Sequence, residues 1–175
     1  MTLKSLWKLG KWIFKALVVV FVISLVFNLG WFVKWIYPIK YGETISIYAK
    51  EFDVDPFLIL SIIKVESGFD PNAKSVKGAM GLMQIMPETG EWIAWRQGKE
   101  YDESRIFEPD YNIDLGCWLL SFLLEKYNGD VELAAAAYNA GHSAVNRWLD
   151  DPKYYDGKNL TIPYEETENY VKKVK

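Results

Sequence analysis

The sequence DPFLILSIIKVESG occupies residues 55–68 and determines what kind of core the chain can build. Asp55 followed by Pro56 is a typical helix start, because the aspartate accepts hydrogen bonds from free backbone amides and the proline has no amide to satisfy. The residues that follow are apolar on nearly every face, which is the pattern of a helix buried in a core. Gly68 ends the run. The stretch therefore predicts a buried central helix in a compact, mostly helical domain.

The sequence on either side predicts further short helices and little β-structure. Apolar residues recur at helical spacing across residues 45–52, whereas residues 69–80 have no regular period and predict a loop, to which any β-structure is confined. The helices predicted downstream are residues 112–127 before Asn128-Gly129, 131–140 after an Asp130 cap, 144–150 after a Ser143 cap, and 164–174 after Pro163.

The N-terminal region is apolar and basic. The run from Trp12 to Val33 would extend roughly 33 Å as a helix, enough to cross a hydrocarbon core of ~30 Å, and tryptophans flank it as interfacial anchors do. A cleavable signal peptide is the alternative, but residues 28–31 (NLGW) lack the small-residue pattern of a cleavage site. We therefore expect residues 1–40 to form a basic tail and a single transmembrane helix at about 12–33, followed by one domain at residues 41–175.

Charge is divided unevenly between these two parts. Residues 1–40 contain six lysines and no acid, whereas residues 41–175 contain 14 basic and 23 acidic residues, a net charge of −9. Three of the six lysines precede the apolar run and a fourth, Lys15, lies one turn inside it, which favours a cytoplasmic N-terminus and an extracytoplasmic domain. The acidic excess disfavours binding to a phosphate backbone, so nucleic acid is not expected as a partner. A single cysteine and a single histidine make a structural zinc site improbable.

Glu66 is the first candidate for chemistry. It lies in the last turn of the apolar helix, where burial and the negative end of the helix dipole both raise the pKa of a carboxyl. A carboxyl that stays protonated near neutral pH is what a general acid for glycosidic cleavage requires. The alternative is a glutamate on the one exposed stripe of this helix, near Lys64.

Three separated blocks of sequence carry a resemblance to a known family. ESGFDPNAKSVKGAMGLMQIMPETG (66–90), AAYNAGHSAVNRWL (136–149) and IPYEETENYVKKV (162–174) occur in the order found in lytic transglycosylases of the soluble (SLT-domain) type. The resemblance covers about residues 44–174. It implies a lysozyme-like α+β fold that is mostly helical, within the lysozyme superfamily.

The resemblance also implies a role for each matching position. Glu66 corresponds to the single catalytic acid/base, and Glu168 departs from the family because many members have a basic residue there, a potential partner for Glu166. The remaining positions are implied to bind the glycan: Ser75 near the N-acetyl group, Gln84 and Met86 along the groove, Tyr138 and Asn139 beside the glutamate, and Glu166 and Tyr170 in the closing block.

Each of these glycan-binding positions also has a structural interpretation. Ser75 is compatible with an ordinary loop serine, Gln84 with a solvated helix residue and Met86 with the core. The ring of Tyr138 follows four alanines and suits close helix packing. Asn139 is compatible with a helix end, and Glu166 with charge near a helix N-terminus.

The activity implied by the resemblance is cleavage of peptidoglycan glycan strands by a membrane-anchored lytic transglycosylase. Glu66 would protonate the oxygen between N-acetylmuramic acid and N-acetylglucosamine and then deprotonate the muramic C6 hydroxyl, which leaves a 1,6-anhydro end and requires no cofactor. A goose-type lysozyme-like hydrolase and a non-catalytic peptidoglycan-binding envelope protein remain alternatives. A cysteine peptidase would have to use Cys117 and His142, and Cys117 lies among apolar residues where a buried thiol is expected.

Overall fold

A computed structural model describes Trp7, residues 11–24 and residues 40–175. The chain divides into two compact units, Met1–Lys40 and Tyr41–Lys175. In the first unit, residues 11–24 are helical and their apolar side chains are exposed. The predicted membrane span also includes residues 25–33, which lie outside the described part of the chain. Within the described residues, none of the helices combines the length and the apolar character that a membrane span requires.

The second unit is built mainly from short helices, as the sequence predicts. The helices are α1 (Gly42–Glu51), α2 (Pro56–Glu66), α3 (Pro87–Arg96), α4 (Pro109–Lys126), α5 (Val131–Ala140), α6 (His142–Asp150) and α7 (Glu165–Val174), with a 3₁₀ helix at Glu103–Arg105. Isolated antiparallel bridges pair Lys74 with Met80, Met80 with Ile85, and Tyr155 with Leu160. The mostly helical class is confirmed.

Helix α2 is the central core helix that the sequence predicts. The Asp55 carboxylate accepts a hydrogen bond of 2.7 Å from the Phe57 amide, which caps the helix start. Ile59, Ile62 and Ile63 are fully buried. The helix ends at Glu66, so that this carboxyl lies where an apolar helix emerges from the core.

Helix α5 is connected to α2 through α7. It packs against α4, α6 and α7, while α2 packs against α1 and α7. The four residues Ala134–Ala137 are all buried, and their small side chains let the neighbouring helices approach closely. The ends of α2, α5 and α7 therefore face a common region.

Three details of the sequence-based helix assignment are wrong. Helix α4 begins at Pro109 and not at Asn112, whose amide already bonds to the Glu108 carbonyl. Helix α6 begins at His142 with Gly141 as its capping residue, at φ 83°, so Ser143 is not the cap. A backbone conformation with positive φ is one that glycine adopts without strain, and it redirects the chain before a serine can act as the cap.

Two further differences concern a β-bridge and the start of the last helix. The bridge between Tyr155 and Leu160 lies outside residues 69–80, to which β-structure was expected to be confined. The last helix begins at Glu165, with Tyr164 still extended as its N-cap. Proline restricts the residue before it and does not force the residue after it into the helix.

Candidate active site

Glu66 is a partly buried carboxyl with a raised pKa. Burial raises its pKa from 4.5 to about 7, and the negative charge of Glu166 adds to this effect. The Tyr170 hydroxyl acts in the opposite direction and lowers the pKa. Lys64, the cation that the exposed-stripe interpretation invoked, is not among the causes of the shift. The interpretation of Glu66 as an ordinary surface glutamate is therefore wrong.

Tyr170 on α7 is the hydroxyl that faces Glu66. Its side chain is 6% exposed, and the hydroxyl forms no hydrogen bond of regular geometry with any described residue. The hydroxyl is nevertheless close enough to the Glu66 carboxyl to lower the pKa of that carboxyl. The pKa of the Tyr170 phenol is raised mainly by burial and, to a smaller extent, by the charge of Glu66. A buried donor without a regular partner is available to a carboxylate or to a ligand.

Tyr138 on α5 lies within electrostatic reach of the same carboxyl. Its hydroxyl donates a hydrogen bond of 2.9 Å to the Met83 carbonyl. Burial and the charge of Glu66 both raise its pKa, so it stays a neutral donor. The next residue, Asn139, accepts a hydrogen bond of 2.8 Å from the hydroxyl of Thr167, which is buried on α7. This bond connects the tyrosine-bearing helix to the closing helix.

The loop of residues 67–86 runs from the end of α2 to the start of α3 and contains three of the sequence-based candidates. The Gln84 side-chain amide donates to the carbonyls of Ala73, at 3.1 Å, and Gly81, at 2.9 Å, while its backbone has φ 50°. Gln84 is thus a loop residue that holds the loop closed, and its interpretation as a solvated helix residue is wrong. The hydroxyl oxygen of Ser75 accepts from the Ala79 amide at 2.9 Å.

Asn112, which sequence reasoning did not select, supports this loop from α4. Its fully buried side chain accepts from the Met83 amide at 2.7 Å and donates to the carbonyls of Met80 and Ile106. A Cβ on Gly81 would lie 2.2 Å from the Asn112 amide nitrogen, so the loop must have glycine at this position. In the sequence Asn112 stands between Asp110 and Asp114 of the same helix, so no local pattern distinguishes it.

Glu166 is exposed on α7 and has a partner that the sequence did not suggest. Lys77 of the loop forms an ion pair with it at 3.8 Å. Glu168, the position that departs from the family, pairs with Lys172 on its own helix. Lys77 therefore supplies a positive charge to Glu166 from a different part of the chain.

The structure brings most of the sequence-based candidates together. Electrostatic interactions connect Glu66 with Tyr138, Tyr170 and Glu166, and hydrogen bonds tie Asn139 and Gln84 to the adjoining elements. Met86 is half-buried as the N-cap of α3, at the far end of the same loop. Ser75 lies in the turn that also contains Lys77.

Cys117 cannot serve as a nucleophile in this fold. Its side chain is fully buried on α4, and burial raises the pKa of the thiol. A reactive cysteine requires a lowered pKa and access to solvent. The cysteine peptidase alternative is therefore rejected.

A helical, lysozyme-like domain that holds one carboxyl of raised pKa beside two tyrosines belongs to the class of proteins equipped for acid/base chemistry. Comparison with known families makes this specific, since residues 43–161 match the model of the transglycosylase SLT domain. The chain belongs to this family.

Individual relatives agree with the assignment. The chain is 31% identical to the soluble lytic murein transglycosylase of Salmonella typhimurium over 147 residues, which is 79% of this chain and 22% of the relative. It is 34% identical to a membrane-bound lytic murein transglycosylase C of Actinobacillus pleuropneumoniae, over 77% of this chain and 44% of the relative. The chain thus spans less than half the length of these relatives.

Solved structures show the same fold. An inactive mutant of the lytic transglycosylase Slt from Pseudomonas aeruginosa has a TM-score of 0.71 and 33% sequence identity, over 81% of this chain and 24% of that chain. The 70-kDa soluble lytic transglycosylase in complex with bulgecin A has a TM-score of 0.70 and 28% identity, over 78% and 23% of the two chains.

Proposed function

We propose that this chain is a peptidoglycan lytic transglycosylase. It cleaves the β-1,4 bond between N-acetylmuramic acid and N-acetylglucosamine and leaves 1,6-anhydromuramic ends, with Glu66 as the only acid/base. Membership of the SLT family and relatives named lytic murein transglycosylases support this assignment. The observation that carries the proposal is the partly buried Glu66 carboxyl with a pKa of about 7.

A pKa near 7 suits a group that must both give and take a proton. In the first step Glu66 donates its proton to the linking oxygen as the glycosidic bond breaks, and the N-acetylglucosamine product leaves with that proton. The N-acetyl oxygen of the muramic residue stabilises the cation that develops at its C1. In the second step the Glu66 carboxylate takes the proton of the C6 hydroxyl, whose oxygen bonds to C1. The carboxyl is then protonated again, and no water has been consumed.

The surroundings of Glu66 favour a mechanism with one carboxyl. Glycosidases that use two carboxyls hold them at ~5–5.5 Å or ~6.5–9.5 Å and direct both at the sugar. Glu166 is the acidic residue that contributes to the Glu66 pKa, but its side chain is 75% exposed and ion-paired with Lys77. The nucleophile in this proposal is therefore the substrate's own N-acetyl group.

The other candidate residues have positioning and binding roles in the proposal. Tyr170 stabilises the carboxylate form of Glu66 through its buried hydroxyl, and Tyr138 keeps the loop carbonyl of Met83 fixed beside the site. Ser75, with a proton free to donate, is placed near the N-acetyl group. Gln84, Met86, Asn139 and Glu166 form the walls of the glycan groove.

The proposal includes a membrane anchor with the catalytic domain on the extracytoplasmic side. It rests on the lysine asymmetry around the Trp12–Val33 run and on a relative named as membrane-bound. Protease added to intact spheroplasts should degrade the domain beyond Tyr41. Release of a soluble form without the N-terminal run during growth would overturn the anchor and leave the enzymatic proposal untouched.

Product analysis tests the reaction. The purified chain is incubated with peptidoglycan, and the released muropeptides are weighed by mass spectrometry beside a lysozyme digest. We expect muramic ends that are lighter by one water than the lysozyme products. Reducing muramic ends alone would make the protein a hydrolase, and binding without any release would make it a wall-binding protein.

A further inference from the structure

A second concave region lies next to Tyr138. It is a cavity of about 280 Å³, and the Tyr138 ring forms part of its lining. The same residue lies within electrostatic reach of Glu66, so Tyr138 is shared by the cavity and the surroundings of the carboxyl. Drug-sized ligands fill ~300–1,000 Å³. A cavity just below this range has room for one ring-sized unit of a longer polymer.

The cavity has an aromatic wall that is fixed in place. Trp92 of α3 contacts Trp118 and Phe122 edge-on, with ring centroids 5.4 and 5.2 Å apart, and Arg96 lies 5.7 Å from its ring centre. Trp92 remains half-buried and lines the cavity, where the nearly parallel ring of His142 lies 6.3 Å away. Because its neighbours hold the ring, a ligand can stack on it without a large loss of side-chain entropy.

The remaining lining combines an apolar floor with a polar edge. Leu119 and Leu123 are apolar, while Glu88 and Thr89, from the first turn of α3, contribute a carboxylate and a hydroxyl. A pyranose has the matching chemistry, since its faces present carbon-bound hydrogens and its rim presents hydroxyls. Flat aromatic rings can stack on the faces, and polar groups can form hydrogen bonds with the hydroxyls of the rim.

The geometry points to a glycan subsite at Trp92, in which one amino sugar of the strand stacks on the indole while a neighbouring bond lies at Glu66. This assignment rests on the proposed function, since it places the second sugar of the same strand. The proposed subsite recognises the sugar and not the stem peptide. Trp92 contacts substrate in this assignment and takes no part in proton transfer.

Binding measurements on the purified chain in detergent test the subsite. The probe is peptidoglycan strands whose stem peptides have been removed with an amidase, and Glu66→Gln is the common background, so that cleavage does not interfere. Trp92→Ala should weaken the affinity measured by calorimetry roughly tenfold, the size of one aromatic stacking contact. Trp92→Phe keeps an aromatic ring and its packing, so it should lose only part of this affinity. Trp95→Ala is the matched control, because Trp95 is exposed on the same helix and does not line the cavity.

Folding is checked by the melting temperature, since Trp92 also packs against two aromatic rings. If Trp92→Ala does not fold, the affinity of Thr89→Val for the stripped strands tests the subsite instead, because this substitution preserves the side-chain shape and removes only the rim hydroxyl. Affinity equal to that of Trp95→Ala would overturn the subsite. The subsite would also be overturned if Trp92→Ala lost affinity for intact peptidoglycan but bound the stripped strands unchanged, because the cavity would then bind the stem peptide. Absence of cleavage by the wild-type chain would end the proposed function, while weaker binding by Trp92→Ala would still support a sugar subsite.

Discussion

The two sides of the candidate site are held by different forces. Glu66, Tyr138 and Tyr170 project from helices whose apolar faces form the core, so burial fixes their positions. The loop of residues 67–86 also buries Met80, Leu82, Met83 and Ile85 in the core, but its path depends in addition on single polar contacts, above all those of Asn112. We therefore expect substitutions on the helical side to alter the chemistry and preserve the fold, and substitutions among the loop supports to alter the fold around the chemistry.

The largest effect is expected from Glu66→Gln. The variant should lose ~10⁴-fold or more in kcat, since general acid–base help contributes ~10²–10⁴-fold and one group performs both transfers in the proposed mechanism. It should melt near or above the wild-type temperature, because a neutral amide replaces a partly buried carboxyl. Turnover of peptidoglycan and calorimetric melting are measured together. Glu168→Gln on α7 is the control, and near-normal turnover by Glu66→Gln would remove this residue from the mechanism.

Asn112→Ala should be the most destabilising change on the loop side. The Met83 amide loses its buried acceptor, which costs ~1–3 kcal/mol, and the cavity left behind adds to this, for a total of about 2–4 kcal/mol. The free energy of unfolding is measured by chemical denaturation. Asn169→Ala, at an exposed position, is the control and should be neutral. An unchanged free energy in Asn112→Ala would show that the loop does not depend on this side chain.

Tyr170→Phe should shift the pH dependence of activity. The proposed mechanism requires the acid form of Glu66 in its first step, so kcat/KM should fall as pH rises through its pKa of about 7. The Tyr170 hydroxyl lowers that pKa, and its removal should move the alkaline limb to higher pH. Stability should be preserved, because the hydroxyl lacks a regular partner. A limb displaced to lower pH would contradict the arrangement.

Glu66 should also make stability depend on pH. Its pKa is higher in the folded state, about 7, than the ordinary 4.5, so the folded protein binds more protons between these values. The stability of the wild type relative to Glu66→Gln should therefore fall as pH rises from 4.5 to 7 and level off above pH 7. Melting temperatures of both proteins across this range measure the difference. A difference that is constant with pH would show that the carboxyl is not desolvated.

The smallest effect is expected from Lys77→Ala. Its ion pair with Glu166 is exposed at both ends, and exposed pairs contribute little to stability. The melting temperature should not change, in contrast to Asn112→Ala on the same loop. A marked loss of stability would show that charge, and not only hydrogen bonding, holds the loop.

The helical side of the site is also the side that sequence predicts well. The Asp55 cap, the burial of Ile62 and the position of Glu66 at the end of α2 follow from patterns within a few residues. Helix periodicity and capping are local properties, so no knowledge of the tertiary structure is required. The raised pKa of Glu66 follows from the same local pattern.

The loop side depends on partners far away in the chain. Met83 is joined to Asn112 and to Tyr138, and Glu166 to Lys77, over separations that no local period encodes. Gly141 shows the same limit on a smaller scale, because its positive φ displaces the start of α6 from the expected serine cap. These features require the tertiary structure.

The run Ala134–Ala137 has a consequence for how the protein tolerates change. All four side chains are buried on α5, which contacts α7, and α7 also contacts α2. A larger residue in this run must be accommodated by displacing a neighbouring helix, because cores are packed without spare volume. Helix α7 carries Tyr170, and its displacement would change the distance from that hydroxyl to Glu66. The spacing of the acid and its donor is thus set by buried methyl groups that take no part in proton transfer, and substitutions at these alanines would change activity before they unfolded the domain.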